Sequence, residues 1–216
     1  MPFVIRRLTA SSAKDASVWH TIGAICCRTA SNRVFRNARD QELFTSIWIE
    51  PYEKLRPNWT YVAEVDGRVV GYLTGCPDSP AFSRKKYLRC TLPLVARIAC
   101  GGYRGAARPG NFVRQAFGLK RSPESIFPSA LKRELSAHYP AHLHMNVEPT
   151  HQKTGAGTAL FQRYATDIEQ AGISGIHVYC AAAPLPFYLR LNFKELACGR
   201  FGDASIYALG WRPSNL

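Results

Sequence analysis

No apolar run in this chain approaches the roughly 20 residues that a membrane-spanning helix needs. Its longer apolar stretches, such as Val18 to Cys27, fall far short. The opening MPFVIRRLTASSAKD has no apolar region behind its charges, so it does not read as a secretory signal, and the expected location is cytoplasmic. The cysteines, at 26, 27, 76, 90, 100, 180 and 198, are odd in number and include no CxxC spacing. That argues against a disulfide framework and against a zinc site, so no metal is expected and the thiols are read as small buried hydrophobes. Internal repeats and low-complexity tracts are also missing, and no residue pattern specifies an oligomer.

Acid is scarce in one place. Residues 84–133 hold twelve lysines and arginines against the single acid Glu124, whereas the rest of the chain is nearly balanced. The net charge of +13 is therefore the property of one segment. With 216 residues and a hydrophobic fraction of 46%, the chain suits one domain with a real core. The basic segment is read as an insertion, 77–135, rich in proline and glycine.

The apolar pattern fixes an order of elements. Phe3 to Leu8 reads as a strand. Ser11 or Ser12 is expected to cap a helix running to about Arg28. Asp40 is expected to cap a second helix, with Leu43, Phe44, Ile47 and Trp48 as its buried stripe and Pro51 and Pro57 limiting its end. Thr60–Val65 and Arg68–Gly75 form a hairpin around Asp66-Gly67. Short helices are expected near Leu88–Ala99 and Ser129–Ala137. From Ala141 the residues alternate, with Leu143, Met145 and Val147 on one face and His142, His144 and Asn146 on the other. Gly155–Gln170 is an amphipathic helix, Ile176–Cys180 an uncharged central strand and Pro184–Leu191 a short helix. Two last strands cover Lys194–Arg200 and Ala204–Gly210. The layout is mixed α/β (α+β) around a single sheet.

Chemistry concentrates at the strand-to-helix turn Gln152, Lys153, Thr154, Gly155, Ala156, Gly157, Thr158. Glycines there let the backbone turn sharply and gather N–H groups that a helix start cannot bond internally. Helix polarity and Lys153 add positive charge, which suits a pyrophosphate. A glycine-rich turn that binds nothing has the same composition. The P-loop and dinucleotide fingerprints both fail on spacing.

Gln152 to Gly157 resembles the Q/R-x-x-G-x-G/A signature of the GNAT acetyltransferases, five residues after Val147 on the fourth strand. Pro186 to Phe193 resembles that family's FYxxxGF motif, in the expected order and distance. Tyr139 to His144, with Gly175 to Val178, is similar to a narrower group related to the acetyltransferase-like domain of O-GlcNAcase, which tends to carry a basic insert before the fourth strand. The resemblance implies a mostly antiparallel sheet splayed between strands four and five, with acetyl-CoA as co-substrate. The pantetheine would lie along Met145, Asn146 and Val147, the pyrophosphate on residues 152–158, and Phe187 beside them. It implies direct acetyl transfer to a primary amine in a ternary complex. Tyr188 matches the general acid toward the thiolate, since a phenol is protonated at neutral pH. A core aromatic at a helix–sheet contact would look the same.

Candidates for the general base are His144 and His142, which share a strand face, and Glu148. His177, on the neighbouring strand, is a weaker one, and Cys180 lies near the cleft. The family's fourth strand is usually bulged, which would flip these faces. Two positions depart from the family: Ala181 stands where an Asn is common, and Asn192 stands for a Gly. The first leaves open an alternative, an inactive fold that binds acyl-CoA or a protein partner. The basic insert is read as a lid meeting CoA phosphates, as a site for an acidic acceptor or an anionic membrane surface, or as a nucleic-acid contact. No nucleic-acid module is recognisable, which argues against the last. The acceptor itself is read as a small-molecule or peptide amine.

Overall fold

A computed structural model describes residues 3–9, 16–30 and 34–213. Strands β1 (Val4–Arg7), β2 (Thr60–Val65), β3 (Arg68–Cys76), β4 (Ala141–Val147), β5 (Ile176–Ala181), β6 (Lys194–Phe201) and β7 (Ala204–Trp211) form one sheet in the order β1-β2-β3-β4-β5-β7-β6. Every neighbouring pair is antiparallel except β4–β5. The mixed, mostly antiparallel α/β architecture expected from the sequence is therefore present. Asp66 and Gly67 both take positive φ, 49° and 74°, as the tight turn joining β2 to β3 requires.

Side-chain alternation divides the core between the two sheet faces. Tyr61, Leu73, Leu143 and Val178 face helix α8 (Ala156–Gln170), where Leu160, Phe161, Tyr164 and Ile168 complete the cluster. Val62 and Tyr72 point the other way, onto Trp19, Ile22 and Ile25 of α1 (Ala16–Arg28) and Phe44 of α2 (Ala38–Trp48). The α8 stripe carries one buried charge. Asp167 accepts hydrogen bonds from the Tyr61 hydroxyl at 2.7 Å and from Arg7 at 2.8 Å, which offsets its burial.

Several local expectations need correction. Asn37, not Asp40, caps α2: its side chain accepts the Asp40 N–H. The Asp40 carboxylate instead accepts the N–H groups of Arg36 and Ala107, which hold it below the usual carboxylate range. Ser11 and Ser12 lie outside the described residues. Trp48, read as part of the buried stripe, is 38% exposed, and Ile47 is only half-buried. Pro51 does not end a helix. It occupies the first turn of a new one, α3 (Glu50–Leu55), where its missing N–H costs nothing.

The segment between β3 and β4 is more helical than expected. Helix α4 (Ser79–Lys86), a π-helical turn (Tyr87–Thr91) and α5 (Leu92–Ala99) follow without a break. Pro93 is tolerated because it sits in the first turn of α5, just past the widened π turn. Then come α6 (Pro109–Ala116) and α7 (Ser129–His138). The last helix is α9 (Leu185–Arg190), followed by Asn192 in the left-handed region at φ 63°.

Candidate active site

β4 and β5 pair only at Ala141↔Ile176 and His142↔His177. Beyond these two pairs the strands part. Meanwhile β4 stays in unbroken register with β3 from Cys76↔His142 to Gly71↔Val147, so the bulge expected from the resemblance is absent. The Ala141 N–H donates toward β5 (Gly175 O, 3.1 Å), and the Glu148 N–H donates toward β3 (Val70 O, 2.8 Å). Strand alternation therefore turns the backbone groups of Leu143, Met145 and Val147 into the opening, where no strand answers them. Asn146 is different. Its backbone faces β3, and its side-chain amide donates to the Tyr72 hydroxyl at 2.8 Å.

The opening leads to the start of α8. Gly155, at φ 93°, is its N-cap, and no side chain caps the helix. The first intrahelical bond there runs from the Ala159 N–H to the Gly155 carbonyl. The N–H groups of Gly155, Ala156, Gly157 and Thr158 are thus left without helical partners. Lys153 is exposed and also takes positive φ, 62°. Two side chains shape the loop rather than point away from it. Gln152 Nε2 donates to the Val147 carbonyl at 3.1 Å, and Thr154 Oγ1 donates to the His151 carbonyl at 2.7 Å. A Cβ on Gly157 would lie 3.3 Å from the Phe187 ring and 3.8 Å from Val147, so glycine lets α9, α8 and β4 converge.

Tyr188 follows Phe187 on α9 and is buried beside Phe193. Its hydroxyl has no hydrogen-bond partner among the described residues. Burial, with Cys180 nearby, pushes the phenol well above its usual range. Cys180 is itself buried, and burial pushes its thiol up to about 11, which suppresses the thiolate a covalent nucleophile would need. Ala181 ends β5 and is exposed.

The two β4 histidines share a face but not a setting. Both nitrogens of His142 are engaged: Nδ1 lies 2.6 Å from Ser79 Oγ and Nε2 2.9 Å from the Tyr52 hydroxyl. Burial, aided by His177 and Lys86, lowers its pKa to about 3. His144 is held more loosely, 3.4 Å from both Tyr72 Oη and Asn146 Nδ2, with the half-exposed Trp48 ring 5.6 Å away. Burial, with Lys86, lowers its pKa to about 4. Glu148 is clamped by Arg28, whose Nε lies 3.0 and 3.1 Å from its two oxygens. His177 spends its Nδ1–H on the Tyr139 carbonyl at 2.6 Å, and burial lowers its pKa.

Sequence reasoning missed the residues that surround the histidines: Trp48, Tyr52, Tyr72, Ser79 and Lys86. They stand dozens of positions away, and no local spacing signals them. Among the described residues no group of histidines, cysteines and acids could hold a metal, and no helix is long and apolar enough to cross a membrane.

No protein-family model matches the chain. Among solved structures it is similar to SsHAT, at 28% identity and a TM-score of 0.69 over 98% of each chain. It is also similar to the polyamine N-acetyltransferase of Drosophila melanogaster, at 15% identity and a TM-score of 0.57, over 98% of this chain and 100% of that one. A third is a histone acetyltransferase HPA2 and related acetyltransferase from Corynebacterium glutamicum, at 15% identity and a TM-score of 0.58, over 99% and 98%. The last two likenesses concern the fold alone. Together with both sequence motifs falling on either side of the parted β4–β5 pair, they show that this chain has the fold of the GNAT acetyltransferases.

Proposed function

We propose that the chain is a single domain, with 77–135 inserted into it, that transfers the acetyl group of acetyl-CoA to a primary amine in a ternary complex. One observation carries the reading. The β4–β5 opening presents backbone groups of Met145 and Val147 that no neighbouring strand pairs, and it ends on the uncapped N–H groups of α8. The first would hold an amide-bearing arm, and the second, with Lys153, a pyrophosphate. Gln152, Thr154 and Phe187 shape this cradle. Asn146 acts on the other side, positioning Tyr72 and His144.

In the transfer the amine nitrogen bonds the acetyl carbonyl carbon as its C–S bond breaks. The leaving thiolate takes a proton from Tyr188. A phenol with raised pKa is fully protonated, and its hydroxyl is not committed elsewhere. The amine proton passes to His144, directly or through water. His142 and Glu148 are less suited, because Tyr52 occupies the His142 lone pair and Arg28 the Glu148 carboxylate. With a pKa of about 4, His144 is always in the base form but pulls weakly. It therefore works best on amines that arrive already neutral.

A second reading, a fold that binds acyl-CoA without turnover, is favoured by Ala181 and by that weak base. Calorimetric titration with acetyl-CoA, followed by an amine screen reading thiol release, separates the two. Micromolar binding with turnover supports the transferase. Binding without turnover across the screen supports the second reading, and no binding at millimolar acetyl-CoA defeats both.

A further inference from the structure

Helix α4 lays one face along β4. Ser79, Phe82 and Lys86 are spaced three and four residues apart and so share that face. Ser79 bonds His142. The buried Phe82 ring stacks on Tyr52 at 4.9 Å and lies 5.3 Å from His142. Lys86 is next in the stripe and is half-buried, whereas Arg84, Lys85 and Arg89 on the same run are exposed.

Lys86 makes no ion pair among the described residues. Two acids of neighbouring elements are engaged elsewhere: Glu50 pairs with Lys54, and Glu148 with Arg28. Phe82, one turn before Lys86, lies 5.3 Å from His142, so the helix carries Lys86 alongside β4, where its ammonium adds to burial in disfavouring protonation of His142 and His144. Burial lowers the Lys86 pKa, and the charge of Glu124 opposes that from a distance. A half-buried ammonium without a counter-ion is costly, and an incoming anion would relieve that cost. A second cation on the acceptor would instead meet Lys86 and the basic segment around it.

We infer that Lys86 is the specificity residue of the acceptor site, and that the acceptor is an amine carrying a carboxylate rather than a diamine or a basic peptide. The inference rests on the acetyltransferase reading but is tested apart from it.

The experiment uses the full chain and its Lys86→Gln variant. Glycine, β-alanine and γ-aminobutanoate are compared with their carboxamides and with putrescine, using thiol release from acetyl-CoA. In parallel, calorimetry measures binding of the corresponding N-acetylated carboxylates in the presence of CoA and without it, which needs no turnover. The best carboxylate should exceed its carboxamide by about tenfold or more in kcat/KM, and its acetylated form should bind with a similar preference. Lys86→Gln should erase that preference, in rates and in binding of the acetylated carboxylate, while leaving acetyl-CoA affinity unchanged. Equal binding of the acetylated carboxylate to both proteins, or a wild-type preference for putrescine, overturns the inference. If acetyl-CoA does not bind but the carboxylate does so through Lys86, the transferase reading fails and the anion site stands.

Discussion

His142 donates its Nδ1 proton to Ser79, and the proton count forces that direction. Ser79 Oγ lies 2.6 Å from the Pro140 carbonyl, which can only accept, so the hydroxyl proton goes there. The 2.6 Å contact to His142 must then run from Nδ1–H to Oγ. The neutral ring keeps a lone pair on Nε2, and the Tyr52 hydroxyl donates to it at 2.9 Å. One imidazole thus ties α4 and α3 to β4, and protonating it breaks the pattern. Ser79→Ala should cost about 1–2 kcal/mol of stability, read by chemical denaturation, with acetyl-CoA affinity unchanged. No loss of stability would mean the chain of bonds contributes nothing.

Stability should fall on acidification. The folded pKa values of His142 and His144, about 3 and about 4, lie below the unfolded value, as does that of His177. Between about pH 6.5 and those values the unfolded state binds more protons. The contribution is complete above about pH 6.5 and is lost below it, at up to about 1.4 kcal/mol per pH unit for each histidine kept neutral. Melting curves at about pH 7, 6 and 5, with His142→Gln and His144→Gln as controls, check this. A melting temperature flat across that range contradicts the burial argument.

His144→Ala should lower kcat/KM by about a hundredfold, whereas His142→Gln should act through stability. The wild-type profile should show no histidine limb near neutrality, because His144 titrates only at about 4. The rate should instead keep rising into the alkaline range with deprotonation of the amine. An inflection near about pH 6.5 that vanishes in the His144 variant would show an ordinary histidine base.

Tyr188→Phe keeps the ring that packs on Phe193 and removes only the hydroxyl. Turnover should drop by about a hundredfold or more, with acetyl-CoA affinity within about twofold of wild type. Full activity in this variant would remove Tyr188 as the acid.

Gly157→Val forces a branched side chain against the Phe187 ring, which a single Cβ would already approach to 3.3 Å. Acetyl-CoA binding should weaken by about tenfold or more through displacement of the loop, with strain of about 1–3 kcal/mol. Undiminished affinity would show that α9 yields freely at this contact.

Gly75→Ala should be more damaging to the fold. Tyr164 crosses this glycine to donate to the Cys76 and His142 carbonyls at 3.2 and 2.9 Å, and a Cβ there would lie 2.3 Å from its ring. A loss of about 3 kcal/mol is expected, with partial rescue by Tyr164→Leu. Additive losses in the double variant would refute the contact as the cause.

The sequence alone determined the seven strands, the helix α8 and their order, but not α3, α4 or α6. The Asp66-Gly67 hairpin, the β4 alternation, the α8 stripe and Asn192 at positive φ all follow from signals confined to a few neighbouring residues, where backbone sterics and periodic burial act. Where local signals competed, the reading slipped. Asn37 and Asp40 both suit a cap, and Pro51 is equally at home ending one helix or starting the next.

Only the tertiary structure decided what the site residues do. His142 and His144 are two positions apart on one strand face, yet Ser79 and Tyr52 saturate the first while the second meets only long contacts and the half-exposed Trp48. Those neighbours come from α2, α3 and α4, far along the chain. Burial sets the histidine, thiol and phenol pKa values, and burial is a property of packing. The same holds for Lys86: composition places it in a basic segment, and the α4 contact with β4 singles it out from the cations beside it.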